Sequence, residues 1–332
     1  MMFQSNQLWH VKEFSENFAA MPNGALLKKS LAAICLVSAM SFLPAAESSA
    51  ANHIIRLTAE ETRNDGFGNK LMAYKMLSHI VDGADITGRY SPDATIPGPT
   101  IVLTEGDVVH ITLENAIPGA YTSSARTPSK QVSVHVHGVH YDILSDGTLK
   151  VINNHDDEGA GDGLEASHAT YEYKWNVAPG TAGTWAYHDH NFETHNGAET
   201  KGLFGAIIVN PAGSAGYDKE YVLYLGDDAF WGMEIDGTSQ KQSQHGVNPT
   251  LTATQNSNVR FHLIALGTDI HNFSLSNDYK WFDPGTLNLI DTIAIGPLEK
   301  HVFTVKAVSS TRYVDNNYSN KLMGMTGKFI VK

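Results

Sequence analysis

The chain has a single cysteine, Cys35, and it lies inside an apolar run near the N-terminus. With no second cysteine, no internal disulfide can form. Everything after Cys35 also lacks a thiolate metal ligand and a cysteine nucleophile. Basic residues are scarce: 23 Lys and Arg face 35 Asp and Glu, for a formal net charge of −12 and no basic run. That balance speaks against nucleic acid and against a membrane surface as partners. The apolar run from Leu31 to Leu43 is too short to span a bilayer. No segment carries a long helical period.

The N-terminus reads as a leader. Lys28 and Lys29 precede the apolar run, small residues follow it, and Ser48-Ser49-Ala50 offers a cleavage edge. Residues 1–50 are therefore expected to be a signal peptide, with Met21 as an alternative start that gives a leader of more usual length. Cys35 is no lipoprotein attachment point, because Leu36 and Val37 continue the apolar run. The expected location is periplasmic or secreted. A mature chain of about 280 residues can bury a sizeable core without cross-links.

Glycine (29) and proline (12) punctuate the rest into short segments. Thr95-Ile96-Pro97-Gly98-Pro99-Thr100 turns into an apolar strand, and Glu105-Gly106-Asp107 makes the next turn. In Val108 to Asn115, Val109, Ile111 and Leu113 alternate with His110, Thr112 and Glu114, the period of a half-buried strand. His53–Thr58, Ser133–Tyr141, Tyr171–Val177, Gly183–His190 and Gly205–Asn210 also read as strands. After the linker Asn210-Pro211-Ala212-Gly213-Ser214-Ala215-Gly216 come Tyr221–Leu225, Asn258–Leu266, His271–Leu275, Asp291–Ile295, His301–Val305 and Lys328–Val331. The expected fold class is all-β, as two sandwiches or Greek-key barrels, residues 51–212 and 213–332.

Histidines are unevenly divided: residues 54–210 hold ten, and residues 211–332 hold four. Two His-x-His pairs stand out, His135-Val136-His137 and His188-Asp189-His190. On a strand, residues i and i+2 share a face, so each pair projects together. If the two strands face a common space, four neutral imidazoles converge, a donor set suited to Cu, Zn, Fe or Ni. His195, five residues beyond His190, is a further candidate donor. Asp189 should point away from the histidines and support them by hydrogen bonding. His140 should face the opposite side. His79, His110, His168, His245, His262 and His301 read as structural. The acidic loop Asn153–Gly163 has carboxylates for Ca²⁺ but fits no defined calcium loop.

The motifs His135-Val136-His137-Gly138 and Trp185-Ala186-Tyr187-His188-Asp189-His190 resemble those of multicopper oxidases, particularly the two-domain, laccase-like members. Ile96-Pro97-Gly98-Pro99-Thr100, Glu105-Gly106-Asp107, Ser145-Asp146-Gly147-Thr148, Gly202-Leu203-Phe204-Gly205 and Met323-Gly324-Met325-Thr326-Gly327-Lys328-Phe329 match as well. The resemblance implies two cupredoxin-like (plastocyanin-like) Greek-key β-barrel domains, copper as cofactor and a homotrimer. It implies that His135 holds a type 2 copper and that His137, His188 and His190 hold a type 3 pair.

The second half departs from that pattern. The family's first domain-two histidine falls on His271, but the next two fall on Ser274 and Ser276. The family's Tyr-His-Cys-His falls on Tyr313-Val314-Asp315-Asn316, the second type 1 histidine on Asn320, and the axial methionine on Met325. A type 1 copper needs a thiolate, so none is expected. His271, Asp315 and Met325 remain weak metal candidates beside a plain packing role. The expected activity is that of a copper-dependent oxidoreductase with a histidine-only site, acting on a small-molecule reductant. The alternatives are a copper-binding or tolerance protein that holds copper ions without turnover, and a structural scaffold with a vestigial site. No catalytic residue follows from the sequence.

Overall fold

The alternation in Val108 to Asn115 becomes strand β5 (Val108–Asn115), with Val109, Ile111 and Leu113 fully buried. The computed structural model describes residues 50–64, 70–117, 132–148, 170–190, 201–276 and 279–332. Expectations for the leader, His155, His168, His195 and the acidic loop fall outside these residues.

Four sheets carry the fold. The first runs β3 (Ala84–Asp85), β2 (Lys70–Val81), β1 (Asn52–Asn64), β5 and β7 (Thr170–Asn176). The second runs β4 (Thr100–Thr104), β9 (Phe204–Asn210), β8 (Gly183–His188) and β6 (His135–Val136). The third runs β12 (Gln242–Val247), β11 (Phe230–Asp236), β10 (Lys219–Leu225), β14 (Asn258–Ala265) and β19 (Lys300–Lys306). The fourth runs β13 (Leu251–Ala253), β21 (Thr326–Val331), β20 (Thr311–Asp315), β15 (His271–Leu275) and β18 (Thr292–Ile295). A hairpin of β16 (Trp281–Phe282) and β17 (Leu289–Ile290), two 3-10 turns (Thr87–Arg89 and Ile143–Ser145) and a one-turn helix α1 (Tyr318–Leu322) complete the described elements.

The two halves repeat one pattern. In the first, β1 pairs antiparallel with β2 and parallel with β5. In the second, β10 pairs antiparallel with β11 and parallel with β14. Ile55, Leu57, Ile111, Tyr173 and Trp175 of the first sheet pack with Ile101, Leu103, Ile207 and Val209 of the second. Phe261, Leu263 and Phe303 pack likewise with Phe273, Tyr313 and Phe329. A third cluster joins the halves: Phe204, Ala206 and Ile208 meet Val222, Tyr224 and Ile264. That contact explains why β9 and β10 read as unbroken apolar runs, since both faces of each are covered. Polar bonds reinforce the junction, with the Thr100 N–H donating to Gln242 Oε1 at 2.8 Å and Gln244 Nε2 donating to the Ile96 carbonyl at 2.7 Å.

Two expectations are corrected. The strand expected over Ser133–Tyr141 is only His135–Val136. Gly138 ends it: its φ of +77° is left-handed, and a Cβ there would fall 1.9 Å from the Trp185 ring. Strand β2, which buries Met72, Tyr74 and Met76, escaped the sequence reading altogether.

A buried polar chain ties β1 to β2 and β5. Asp107 accepts from the Ala51 N–H (2.8 Å), from the Thr104 N–H (2.7 Å) and from His53 Nε2 (3.0 Å). His53 Nδ1 lies 2.9 Å from His79 Nε2, and His79 Nδ1 lies 2.7 Å from the Tyr90 hydroxyl. Burial first, then the neighbouring His53 and Arg89, push the pKa of His79 down to about 3. The folded state therefore refuses a proton that the unfolded chain accepts below pH 6.5. Stability should be full above that pH and fall toward pH 3, by about 1.4 kcal/mol per pH unit for each such histidine. Urea midpoints between pH 7 and 4 should show this fall, with a shallower slope in His79→Gln. Asp107→Ala leaves three donors without their acceptor, one of them the buried His53 Nε2, and should cost about 3 kcal/mol at pH 7 by the same measurement.

Candidate metal centre

The site begins with strand register. In the pairing of β6 with β8, His135 sits opposite His188, and Val136 opposite Tyr187. The His137 N–H donates to the Ala186 carbonyl at 3.0 Å, extending the match one residue further. Val136 and Tyr187 point into the core, and so the histidines on either side of them share the other face. The imidazole of His135 lies 4.9 Å from that of His137, 5.5 Å from that of His188 and 4.9 Å from that of His190, measured between ring centres. His188 lies 5.3 Å from His137 and 5.7 Å from His190. One ring nitrogen each from His135, His137 and His188 fall within 4.8 Å of one another.

Supporting bonds decide which nitrogens face inward. His135 Nδ1 donates to the carbonyl of Asp146, and His188 Nδ1 donates to the carbonyl of Asp189 at 2.9 Å. Both rings therefore present a bare Nε2 in their neutral form. Gly147 makes room for the first of these bonds: its φ is +73°, and a Cβ would fall 2.2 Å from the Val134 carbonyl oxygen. His137 Nε2 lies 3.0 Å from His188 Nε2. The donor set fits copper, since three neutral imidazole nitrogens converge beside the exposed His190.

Electrostatics keep the rings neutral. Burial pushes His188 down to about 3, the Asp189 carbonyl opposes this, and the other three histidines add to it. Burial lowers His137 to about 4, helped by His135, His190 and Lys300. Burial also lowers His135, against the pull of Asp146. Imidazoles that are neutral at neutral pH are ready to ligate.

Asp189 does not face the cluster. Its Oδ1 accepts from the Ser133 N–H at 2.9 Å, and Ser133 Oγ in turn accepts from the His190 N–H at 3.0 Å. His140 is exposed and bridges to Asn176 on β7, away from the imidazoles. Two further residues flank the site that the sequence did not single out. Tyr141 lies 6.2 Å from the His135 ring, and its hydroxyl is bonded to Asp146. Asp146 entered the sequence reading only as part of the Ser145-Asp146-Gly147-Thr148 motif; here it presents both its carbonyl and its carboxylate to His135, while nothing in the sequence marked Tyr141.

The second half brings His271, Asp315, Asn320 and Met325 together, all at most 1% exposed. They form a closed knot. The Asp315 carboxylate accepts from His271 Nδ1 (2.7 Å), Asn320 Nδ2 (2.7 Å), the Asn272 N–H (2.8 Å) and the Asn317 N–H (2.9 Å). Burial alone would raise its pKa, but these bonds, from His271 foremost, outweigh burial and lower it. Four donors use up the lone pairs of a carboxylate. The residues do not fit a type 1 copper, because the thiolate is absent and the oxygen in its place is already saturated. The Ser274 hydroxyl accepts from Asn316 Nδ2 at 2.8 Å, a hydrogen bond where the family has a cluster histidine.

Together these features define a cupredoxin-fold protein with a cluster of imidazoles in its N-terminal half. Residues 90–214 match the multicopper oxidase family. A probable nitrite reductase-hydroxylamine oxidoreductase fusion protein of Kuenenia stuttgartiensis is 30% identical over 256 residues, which are 72% of this chain and 28% of that protein. Multicopper oxidase LPR1 homolog 1 of Oryza sativa subsp. japonica is 30% identical over 163 residues, 44% of this chain and 27% of that protein. The match thus spans little more than a quarter of either relative. Among solved structures, the copper nitrite reductase of Nitrosomonas europaea aligns over 84% of this chain and 94% of its own, with a TM-score of 0.55 and 16% identity. A blue copper oxidase of Nitrosomonas europaea aligns over 84% of this chain and 85% of its own, with a TM-score of 0.54 and 17% identity. At such identities these structures establish the fold alone. The chain is a small multicopper oxidase-like protein, and copper is the metal that the family match indicates.

Asp315→Ala removes the acceptor from four donors inside a sealed pocket. It should lower stability by about 3–5 kcal/mol while leaving the copper content of purified protein unchanged. Denaturation and metal analysis on the same sample check both halves of this expectation.

Proposed function

We propose that the chain is an exported copper oxidoreductase whose copper is held by His135, His137 and His188, with His190 at the open side, and which has no type 1 copper. The observation that carries this reading is the contrast between the two halves. Three imidazole nitrogens converge in the first, while Asp315 closes the corresponding pocket of the second with four hydrogen bonds.

Copper held there would supply one-electron redox chemistry. The chain's own residues fix the conditions for it. Asp146 and Asp189 orient two of the rings through their carbonyls, and Ser133 anchors the backbone of His190. Exposed His190 leaves one side approachable, so a small-molecule reductant must come to the site itself. The Asp146 carboxylate lies 3.4 Å from His135 Nδ1. Residues 1–50 are the leader, residues 51–212 and 213–332 form the two domains, and the assembly is a homotrimer, as the family pattern suggests. The closed pocket in the second half also favours a second reading, a copper-holding protein without turnover.

Copper-loaded wild type should bind copper, show no intense blue thiolate band and consume oxygen with phenols or Cu(I). His188→Ala should lose copper and at least about tenfold of the oxygen uptake. Copper binding without oxygen uptake would select the copper-holding reading. Uptake unchanged in His188→Ala would refute the histidine site as its source.

A further inference from the structure

A cavity of about 360 Å³ opens beside the junction of the two halves. It is walled by Trp185 of β8, Ile293 and Ile295 of β18, the turn residues Leu298 and Glu299, and Lys300 and His301 of β19. This volume is in the range of small-molecule pockets, which pair apolar walls with a few polar groups. The cavity adjoins the imidazole cluster through Trp185. The backbone of Gly138, next to His137, lies against the Trp185 ring, and the charge of Lys300 is felt at His137.

The polar groups favour an anion. The Lys300 ammonium rests on the Trp185 ring. No carboxylate of the described residues reaches it, and burial is the sole cause that lowers its pKa to about 7. A half-buried ammonium without a counter-ion is costly, and an aromatic face offsets the cost only in part. The one carboxylate in the wall, Glu299, accepts from the Gly296 N–H at 2.6 Å, which partly occupies its charge. His301 Nε2 accepts from the Trp281 indole N–H at 2.9 Å. Burial lowers the pKa of this ring against the pull of Asp283, and with Nε2 accepting, the proton of the neutral ring sits on Nδ1.

We propose that this cavity binds a small organic anion with a flat apolar body, the class of an aromatic carboxylate, with its charge on Lys300 and His301 and its body against Trp185, Ile293 and Leu298. The site thereby assigns a chemical class to the molecule brought beside the imidazole cluster. That last step rests on the copper reading above, whereas the binding itself does not.

The test uses metal-free mature protein and two probes, benzoate and formate, followed by calorimetry and Trp fluorescence. Benzoate should bind once per chain, and formate at least about tenfold more weakly, because the apolar wall contributes. Lys300→Met should weaken benzoate at least about tenfold, and Lys300→Arg should retain most of the binding. The proposal is overturned by any one of three results: no saturable benzoate binding, formate binding as tightly as benzoate, or equal affinities in Lys300→Met and Lys300→Arg. Because no metal is present, these results are independent of the oxygen-uptake measurements on His188→Ala.

Discussion

Everything at the candidate copper site depends on the pairing of two short strands. With β6 aligned on β8, His135 falls opposite His188, and the alternate residues Val136 and Tyr187 fill the core. A slip of one residue would reverse this, burying imidazoles and exposing apolar side chains. Packing therefore enforces the register that function needs. The constraint is local but widely supported: Gly138 lets the chain turn against Trp185, and Gly147 brings the Asp146 carbonyl onto His135.

The halves share a strand plan and diverge in chemistry. In the first, hydrogen bonds go to the outer nitrogens of His135 and His188, so that the inner nitrogens face the cluster, where His188 Nε2 meets His137 Nε2 at 3.0 Å. In the second, the Asp315 carboxylate takes up His271 Nδ1 and Asn320 Nδ2, and only His271 Nε2 is left buried without a partner among these four side chains, His271, Asp315, Asn320 and Met325. Imidazole nitrogens that face one another can take a metal. A saturated carboxylate in a sealed pocket serves folding instead, since a buried charge is tolerable only when fully hydrogen-bonded. Where the resemblance leads one to expect a thiolate and a second histidine, Asp315 and Asn320 bond to one another instead.

The junction between the halves has two roles. Its apolar part, Phe204, Ile208, Val222, Tyr224 and Ile264, holds the sheets together. At its edge the packing gives way to the cavity between Trp185 and Lys300. Trp185 links the two regions, because its ring meets Gly138 and lines the cavity as well.

Much of this was legible in the residues. Period-two alternation identified β5, turn formers marked the breaks, and the two His-x-His pairs together with the absence of cysteine beyond Cys35 pointed to an imidazole donor set without a thiolate. Alternation failed over Ser133–Tyr141, where a glycine at positive φ ends the strand after two residues, and over β2, whose methionines and tyrosine did not read as a strand. Strand periodicity says which side chains share a face, but not which strand lies opposite. Only the tertiary structure decided that β6 meets β8 in register, that Asp315 is closed by donors from β15 and the turn before α1, and that Lys300 from the distant second half lies on Trp185. Each of these is a contact between segments far apart in the chain, set by the packing of sheets rather than by any local preference of the residues involved.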